Sequence, residues 1–534
     1  MLKKILSVSL VVVALATSCK NRTATNTKEK IEARKHEINK NNAYNDIFLD
    51  SQKIEKFIAE EKLNDTLAAA MRDFYNERNF EYNWFASTGL IEQSFSFHSL
   101  YCTEYDCDRF NRSLEKRLDK LRVEGDTTVD ANDSSTIKTE LQITQRFIQY
   151  ANENYKTIGA SPAELGRYIP AKKMPITALA DSLLADNAEN RNYASINESY
   201  RLLRDQLRKY NAIARKGGWP AIAADEKKYK KGMNSLVVAQ IKRRLQITGE
   251  LAGADTTSIF NEELENAVKA YQVNHGYRST GEITTALIKD LNIPAMARVQ
   301  MLLINMQRMR WMPIRPDGKL IVVNIPEFEL YVDSGNTTLF QMNVVVGAEG
   351  HNTTIFSGNL NQIVFSPYWN IPPSIVKKEV LPGMKKDKKY LEKRDMEITG
   401  NEGGLPVIRQ LPGEKNALGK VKFLFPNSFD IYLHDTPQKD LFKKSVRDLS
   451  HGCIRLSDPK KLANYLLLNS KTWTPERIDS AMNCGKEIFV QLKKPVPVII
   501  TYYTSWVDKG VLHFAEDIYE HDIEMARKMF TNPL

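Results

Sequence analysis

The sequence predicts a multidomain α+β protein: a helical N-terminal scaffold, a small helical domain in the middle and a β-rich domain toward the C-terminus. Three observations carry this reading. At 534 residues the chain exceeds what one ordinary core organises. Apolar residues recur at helical spacing as far as Trp311. From Phe328 onward they alternate with polar residues, the period of a half-buried strand. With 42% hydrophobic residues, 22 Tyr and 21 Phe, the chain has the material for several cores.

The N-terminus reads as an export signal. Lys3 and Lys4 precede an apolar run from Ile5 to Ala16, and Ala16, Thr17 and Ser18 lead to Cys19. The run is short for a membrane span, which needs about 20 residues. Small residues before a cysteine resemble a lipoprotein signal over residues 1–19, with Cys19 as the lipidated residue, although Ala16 stands where Leu or Val is usual. The alternative is an uncleaved anchor; both imply export, and the first a membrane-anchored periplasmic protein. Residues 20–46 are polar and charged and predict a flexible tether.

Residues 47–228 predict the helical scaffold. Leu141, Thr144, Phe147, Ile148 and Ala151 make one helical face, while residues 92–135 read as an insertion. Cys102 and Cys107 are close enough to pair, lack C-x-x-C spacing, and read as structural. Residues 235–293 form a compact unit. Val238, Ile241 and Leu245 make one stripe, and Leu264, Ala267, Val268 and Tyr271 another. Residues 295–317 predict a connecting helix and linker, closed by Pro313 and Pro316.

The β-rich domain is expected over 318–492. Phe328, Leu330 and Val332, then Phe340, Met342, Val344 and Val346, predict a hairpin around Ser334-Gly335-Asn336. Further strands are expected at 362–365, 429–433 and 487–492. Residues 493–534 predict a C-terminal extension packed on this domain, with another strand from Val496 to Trp506.

One constellation carries chemistry. Tyr432-Leu433-His434-Asp435 is followed, after fifteen residues from Asp435 to Leu449, by Ser450-His451-Gly452-Cys453-Ile454-Arg455. A thiol nucleophile needs a base or cation that favours thiolate, and donors where negative charge develops. Gly452 permits close approach of backbone N–H groups. Asp458 and Pro459 predict a helix start near Cys453, whose dipole would favour thiolate. A zinc site built from His434, His451 and Cys453 lacks a further ligand at suitable spacing. The net charge of +10 suits an anionic partner, yet no Lys/Arg run with interleaved aromatics marks a nucleic-acid groove.

The His, spacer and Ser-His-Gly-Cys pattern resembles the signature of L,D-transpeptidases, the large periplasmic type in particular. Phe365-Ser366-Pro367-Tyr368-Trp369-Asn370 and Asn416-Ala417-Leu418-Gly419-Lys420 extend the likeness, whereas Thr353-Thr354-Ile355 lacks a proline usual in the family. Arg244-Leu245-Gln246, the 267–272 segment, Gly276 and Gly281 resemble a peptidoglycan-binding domain, with Thr284 in place of a usual Gly. The bland alternative there is a spacer; a DNA-binding module lacks its basic helix.

The resemblance implies that Cys453 attacks a donor stem peptide and releases its terminal D-amino acid before an amine acceptor resolves the acyl-enzyme. It implies His434 as base, oriented by backbone near Asp435, and His451 as support for the oxyanion site or a proton relay. Tyr432, on the same strand face as His434, would line the donor site with Ser450, Gly452 and Arg455, and Trp369 would belong to a mobile cap. It also implies carbapenem acylation of Cys453, no cofactor and no metal. The partners implied are stem peptides, the sacculus and, through Cys19, a membrane. Two rivals keep the same fold: an L,D-carboxypeptidase or amidase with water as acceptor, and a wall-bound scaffold with an idle site.

Overall fold

The computed structural model describes residues 38–39, 41–105, 112–124, 128–154, 172–187, 190, 197–311, 318–335, 337–427 and 429–534. The leader, Cys19 and Cys107 lie outside the described residues.

The N-terminal helices are α1 (Ser51–Glu60), α2 (Asp65–Glu77), α3 (Glu92–Glu104), α4 (Arg112–Glu124), α5 (Ser134–Asn154), α6 (Ile176–Leu184) and α7 (Glu198–Arg215). They share one core. Leu141, Thr144, Phe147, Ile148 and Ala151 of α5 are all buried, as their helical spacing requires. Trp84 is fully enclosed, its ring 5.3 Å from Phe97 and 5.5 Å from Phe147, and its indole N–H donates to Thr144 Oγ1 at 2.8 Å. The stretch expected as an insertion is instead integral: Phe97 and Leu100 of α3 and Leu114 and Leu118 of α4 lie in the core. Ser, Thr and Cys dilute the apolar pattern of α3, leaving one short face that reads weakly in sequence.

Helix α11 (Ala295–Met309) follows the small domain and is buried on nearly every side, through Val299, Leu302, Leu303, Ile304, Met306 and Met309. A helix buried all round belongs inside a core, and α11 lies within the core of the scaffold helices, its buried Arg298, Asn305 and Arg308 each held by a polar partner. Between them, α8 (Leu236–Thr248), α9 (Glu262–Asn274) and α10 (Thr285–Leu291) enclose Val238, Ile241, Leu245, Val268, Tyr271 and Leu287. Thr284, the departure noted above, caps α10 by accepting the Leu287 N–H. Gln272 staples the preceding turn, accepting from Thr280 N and Gly281 N, both at 2.8 Å.

The C-terminal domain is a closed barrel. Its strands are β1 (Lys319–Asn324), β2 (Glu329–Ser334), β3 (Thr337–Gly347), β4 (Ser357–Phe365), β8 (Val421–Leu424), β9 (Leu433–His434), β10 (Asp448–Ser450), β11 (Ile454–Leu456) and β12 (Ile488–Thr501); β5 to β7 are introduced below. The order β10-β3-β11-β9-β8-β4-β12-β1-β2 closes because β2 also pairs with β3. Ile321, Val323, Leu330, Val332, Val344, Ile363, Phe423, Leu433 and Ile454 fill the interior. Two expected strands prove to be one: β12 runs through Ile488–Thr501, with a register shift between Gln491 and Val496 that absorbs Lys493, Lys494 and Pro495.

Between β4 and β8 a side unit emerges. Its strands β5 (Trp369–Asn370), β6 (Met396–Glu402) and β7 (Leu405–Gln410) form an antiparallel sheet in the order β6-β7-β5. Ile371, Val376, Val380 and Ile408 make its small core. Helices α12 (Pro459–Leu467) and α13 (Pro475–Asn483) cover the barrel. The last segment divides its packing: Tyr502 and Tyr519 sit in the barrel core, whereas Met525, Met529 and Phe530, in and just after α14 (His521–Met529), sit among the scaffold helices.

Candidate active site

Two short barrel strands bring the sequence constellation together. β9 and β11 run parallel, with Leu433 opposite Ile454 and His434 opposite Arg455. Ile454 N–H donates to Tyr432 O at 3.1 Å, so the residue before β9 meets the residue before β11, Cys453. Tyr432 and His434 share a face, their rings 5.7 Å apart. Asp430 holds a left-handed φ of 53°, and its carbonyl lies 3.5 Å from Cys453 Sγ.

Cys453 is partly exposed, yet packed densely enough that burial pushes its thiol up; hydrogen bonding from Tyr432 opposes this, and so does the Arg455 charge. His434 is buried, and burial, then the nearby Arg455 charge, pushes its imidazole down to about 3. Its Nδ1 meets the Asp435 carbonyl, which accepts and so assigns the proton to Nδ1, leaving Nε2 with a free lone pair. The resting pair is therefore neutral thiol and neutral imidazole. The helix expected to favour thiolate does not do so. Strand β11 separates Cys453 from the Asp458 cap of α12 by about 10 Å or more at ~3.3 Å per residue, and a helix-end field fades within one turn.

Asp435 is itself fixed by three donors: Lys420 N at 2.9 Å, Thr436 N at 2.7 Å and Lys439 Nζ at 2.6 Å. Room for its carboxylate exists because residue 419 is Gly: φ is +62°, and a Cβ there would stand 2.4 Å from Asp435 Cγ. Asn416 ties this turn to the Pro367 carbonyl, with its Nδ2 donating at 3.0 Å.

On the nucleophile's loop, Ser450 Oγ donates to Cys453 O at 2.6 Å and accepts Gly452 N–H at 3.2 Å. Gly452 has φ +107°, and its carbonyl accepts from Thr353 Oγ1 at 2.8 Å. The Cys453 N–H has no hydrogen-bond partner among the described residues. His451 turns outward; its side chain is 50% exposed, 3.3 Å from Glu379 of the side unit, with the His351 ring 5.3 Å away.

Arg455 donates to Gln438 Oε1 at 2.7 Å; its buried Nε has no partner among the described residues. Trp369 packs with the side unit's own core. Cys484, the other free thiol among the described residues, meets Ala481 O at 3.3 Å and Lys486 O at 3.1 Å. Cys102 is disulfide-bonded, and it neighbours His98 and Glu115, the one described grouping with metal-ligand spacing. A bonded sulfur is no ligand, and Arg146 at 2.5 Å already neutralises Glu115. Thr353, Asp430 and Tyr519 touch this site or its loop without any sequence signal. Thr353 falls in a stretch whose one sequence mark is the missing proline.

Comparison with known proteins adds three domain matches. Residues 318–498 match the L,D-transpeptidase catalytic domain. The chain carries an L,D-transpeptidase catalytic domain. Residues 235–291 match the "Putative peptidoglycan binding domain" ahead of it, and residues 69–207 match a scaffold domain. A curated Haemophilus influenzae protein, "Putative L,D-transpeptidase", is 32% identical over 268 residues, 47% of this chain. The chain spans about half (53%) of that relative's length. Among solved structures, an L,D-transpeptidase from Xylanimonas cellulosilytica is 13% identical, covering 52% of this chain and 100% of its own, at a TM-score of 0.18. One from Mycobacterium smegmatis is 16% identical, covering 34% and 58%, at 0.20.

Proposed function

We propose that this chain is a peptidoglycan L,D-transpeptidase working through a Cys453 acyl-enzyme. The observation that carries the reading is that His434, on β9, and Cys453, immediately before the parallel neighbour β11, lie at adjoining strands of the matched catalytic domain. Cys453 Sγ attacks the donor carbonyl, the S–C bond forms, and the thiol proton passes to His434 Nε2. The C–N bond then breaks, and His434 returns that proton to the departing D-amino acid. An acceptor amine attacks the thioester, releases the sulfur and leaves a new amide. A base held neutral by burial, facing a thiol also held neutral, suits transfer in step with attack.

Tyr432 and Arg455 line the donor side in this reading, Arg455 offering its unpartnered Nε to a stem-peptide carboxylate. His451, exposed and paired with Glu379, serves loop and side-unit geometry rather than proton transfer. The 235–291 domain would hold the enzyme to the sacculus, and Cys19 would hold it to a membrane. Incubating the protein with a disaccharide-tetrapeptide tests the reaction. Cross-linked dimer, one D-amino acid lighter than two donors, is expected from wild type and absent with Cys453→Ala. Tripeptide alone would make water the acceptor and turn the reading to a carboxypeptidase. Metabolic fatty-acid labelling tests the anchor: label is expected on wild type and lost in Cys19→Ala, and equal labelling of both would refute it.

A further inference from the structure

We infer that Thr353 and Tyr519, the latter from the C-terminal segment, are positioning residues that aim the Cys453 backbone N–H at the oxyanion. The inference rests on the reading of Cys453 as an acyl-transfer nucleophile. A trans peptide plane points its C=O and N–H in opposite directions, so whatever holds the Gly452 carbonyl sets the direction of the Cys453 N–H. That carbonyl accepts from Thr353 Oγ1 at 2.8 Å. Gly452, at φ +107°, is the residue least able to hold the plane unaided. The Cys453 N–H has no partner among the described residues and is available to a ligand.

Thr353 is 1% exposed, and its rotamer is over-determined. Its Oγ1 also accepts Gly347 N–H at 2.9 Å, which commits the hydroxyl proton to Gly452 O. Tyr519 closes the arrangement from the other side. Its hydroxyl donates to Gly347 O at 2.5 Å and accepts Thr353 N–H at 3.3 Å. The 347–353 loop leaves no slack, since a Cβ on Gly347 would lie 2.0 Å from His351 O. Tyr519 is anchored in turn: its N–H donates to Tyr502 OH at 2.8 Å, the two rings stack at 5.7 Å, and Tyr502 OH donates to Asp517 at 2.7 Å. Burial pushes the Tyr519 hydroxyl up to about 12, so it remains a donor throughout the working range.

The test separates chemistry that builds an oxyanion from chemistry that does not. Acylation of Cys453 by a carbapenem forms S–C, opens the lactam C–N bond and passes through an oxyanion; the thiol proton ends on the lactam nitrogen. Alkylation by iodoacetamide displaces iodide and forms none. In the full-length protein, Thr353→Val and Tyr519→Phe are expected to slow acylation by about ten- to a hundredfold, less than the ~10²- to 10³-fold for an oxyanion donor removed outright, because the N–H is misaimed rather than lost. Alkylation should stay within roughly twofold of wild type, and Thr353→Ser, which keeps the hydroxyl, should restore acylation. Acylation and alkylation falling together, or neither falling, would overturn the inference. Tyr519→Phe keeps the stacked ring and serves if Thr353→Val does not fold. A wild type that alkylates but is never acylated would instead remove the nucleophile reading on which all this stands.

Discussion

His451 is the histidine nearest Cys453 in sequence, but His434 is the one the fold encloses. Burial strips His434 of its charge, and the Asp435 carbonyl fixes its tautomer; His451 sits in solvent against Glu379. The consequence is a pH profile without a histidine step. Because His434 titrates at about 3, its basic form is complete through neutrality, and carbapenem acylation should be flat between about pH 5 and 8, where an ordinary imidazole would switch. The resting thiol is pushed up rather than down, which corrects the thiolate expected from the motif. His434→Ala should therefore lose acylation by about 10²- to 10⁴-fold near pH 7 and regain part of it as rising pH ionises the thiol. His451→Ala should lower the rate by a similar factor at every pH. A profile that rises with pH for His451→Ala and stays flat for His434→Ala would reverse the two roles.

At the scale of elements, the site depends on strands of two and three residues held by loops that no periodicity describes. Replacing Gly419 by Ala puts a side chain into a left-handed position at roughly 1–3 kcal/mol, and adds a 2.4 Å clash with Asp435. Gly419→Ala should thus cut acylation and lower thermal stability, while Gly403→Ala, with open space around it, should affect stability alone and by less. Much of this level was legible in sequence. The β2–β3 hairpin and the helix stripes of α5, α8 and α9 follow from patterns that burial enforces. What escaped was non-periodic. β1 is an apolar run without alternation, the Lys-Lys-Pro bulge interrupts the pattern of β12, and Thr353 and Tyr519 meet only because strands far apart in sequence close one barrel.

Across the whole molecule, the C-terminal segment joins units that the sequence read as successive. Arg308 of α11 is buried between Glu92 of α3, at 2.8 Å, and Asp522 of α14. Thr504 Oγ1 donates to the same Asp522 at 2.6 Å, and Asp522 N–H to Asp517 at 2.8 Å, the carboxylate that holds Tyr502. Scaffold, central helix and barrel thus share one buried polar cluster. Arg308→Met would strand two carboxylates and should cost about 3–5 kcal/mol, read as a lowered denaturation midpoint. Adding Glu92→Gln and Asp522→Asn should recover much of that loss, because the cost lies in uncompensated charge; no recovery would mean that packing dominates instead. No described helix is long and apolar enough to cross a membrane.

The central claim is that Cys453 carries the acyl group during turnover. Its most direct test is intact-protein mass after rapid quenching with a tetrapeptide donor and no acceptor, followed by peptide mapping. The account predicts one adduct per chain, equal to the donor less its terminal D-amino acid, mapped to Cys453 and absent in Cys453→Ala. An adduct on Cys484, or donor turnover undiminished in Cys453→Ala, would contradict it.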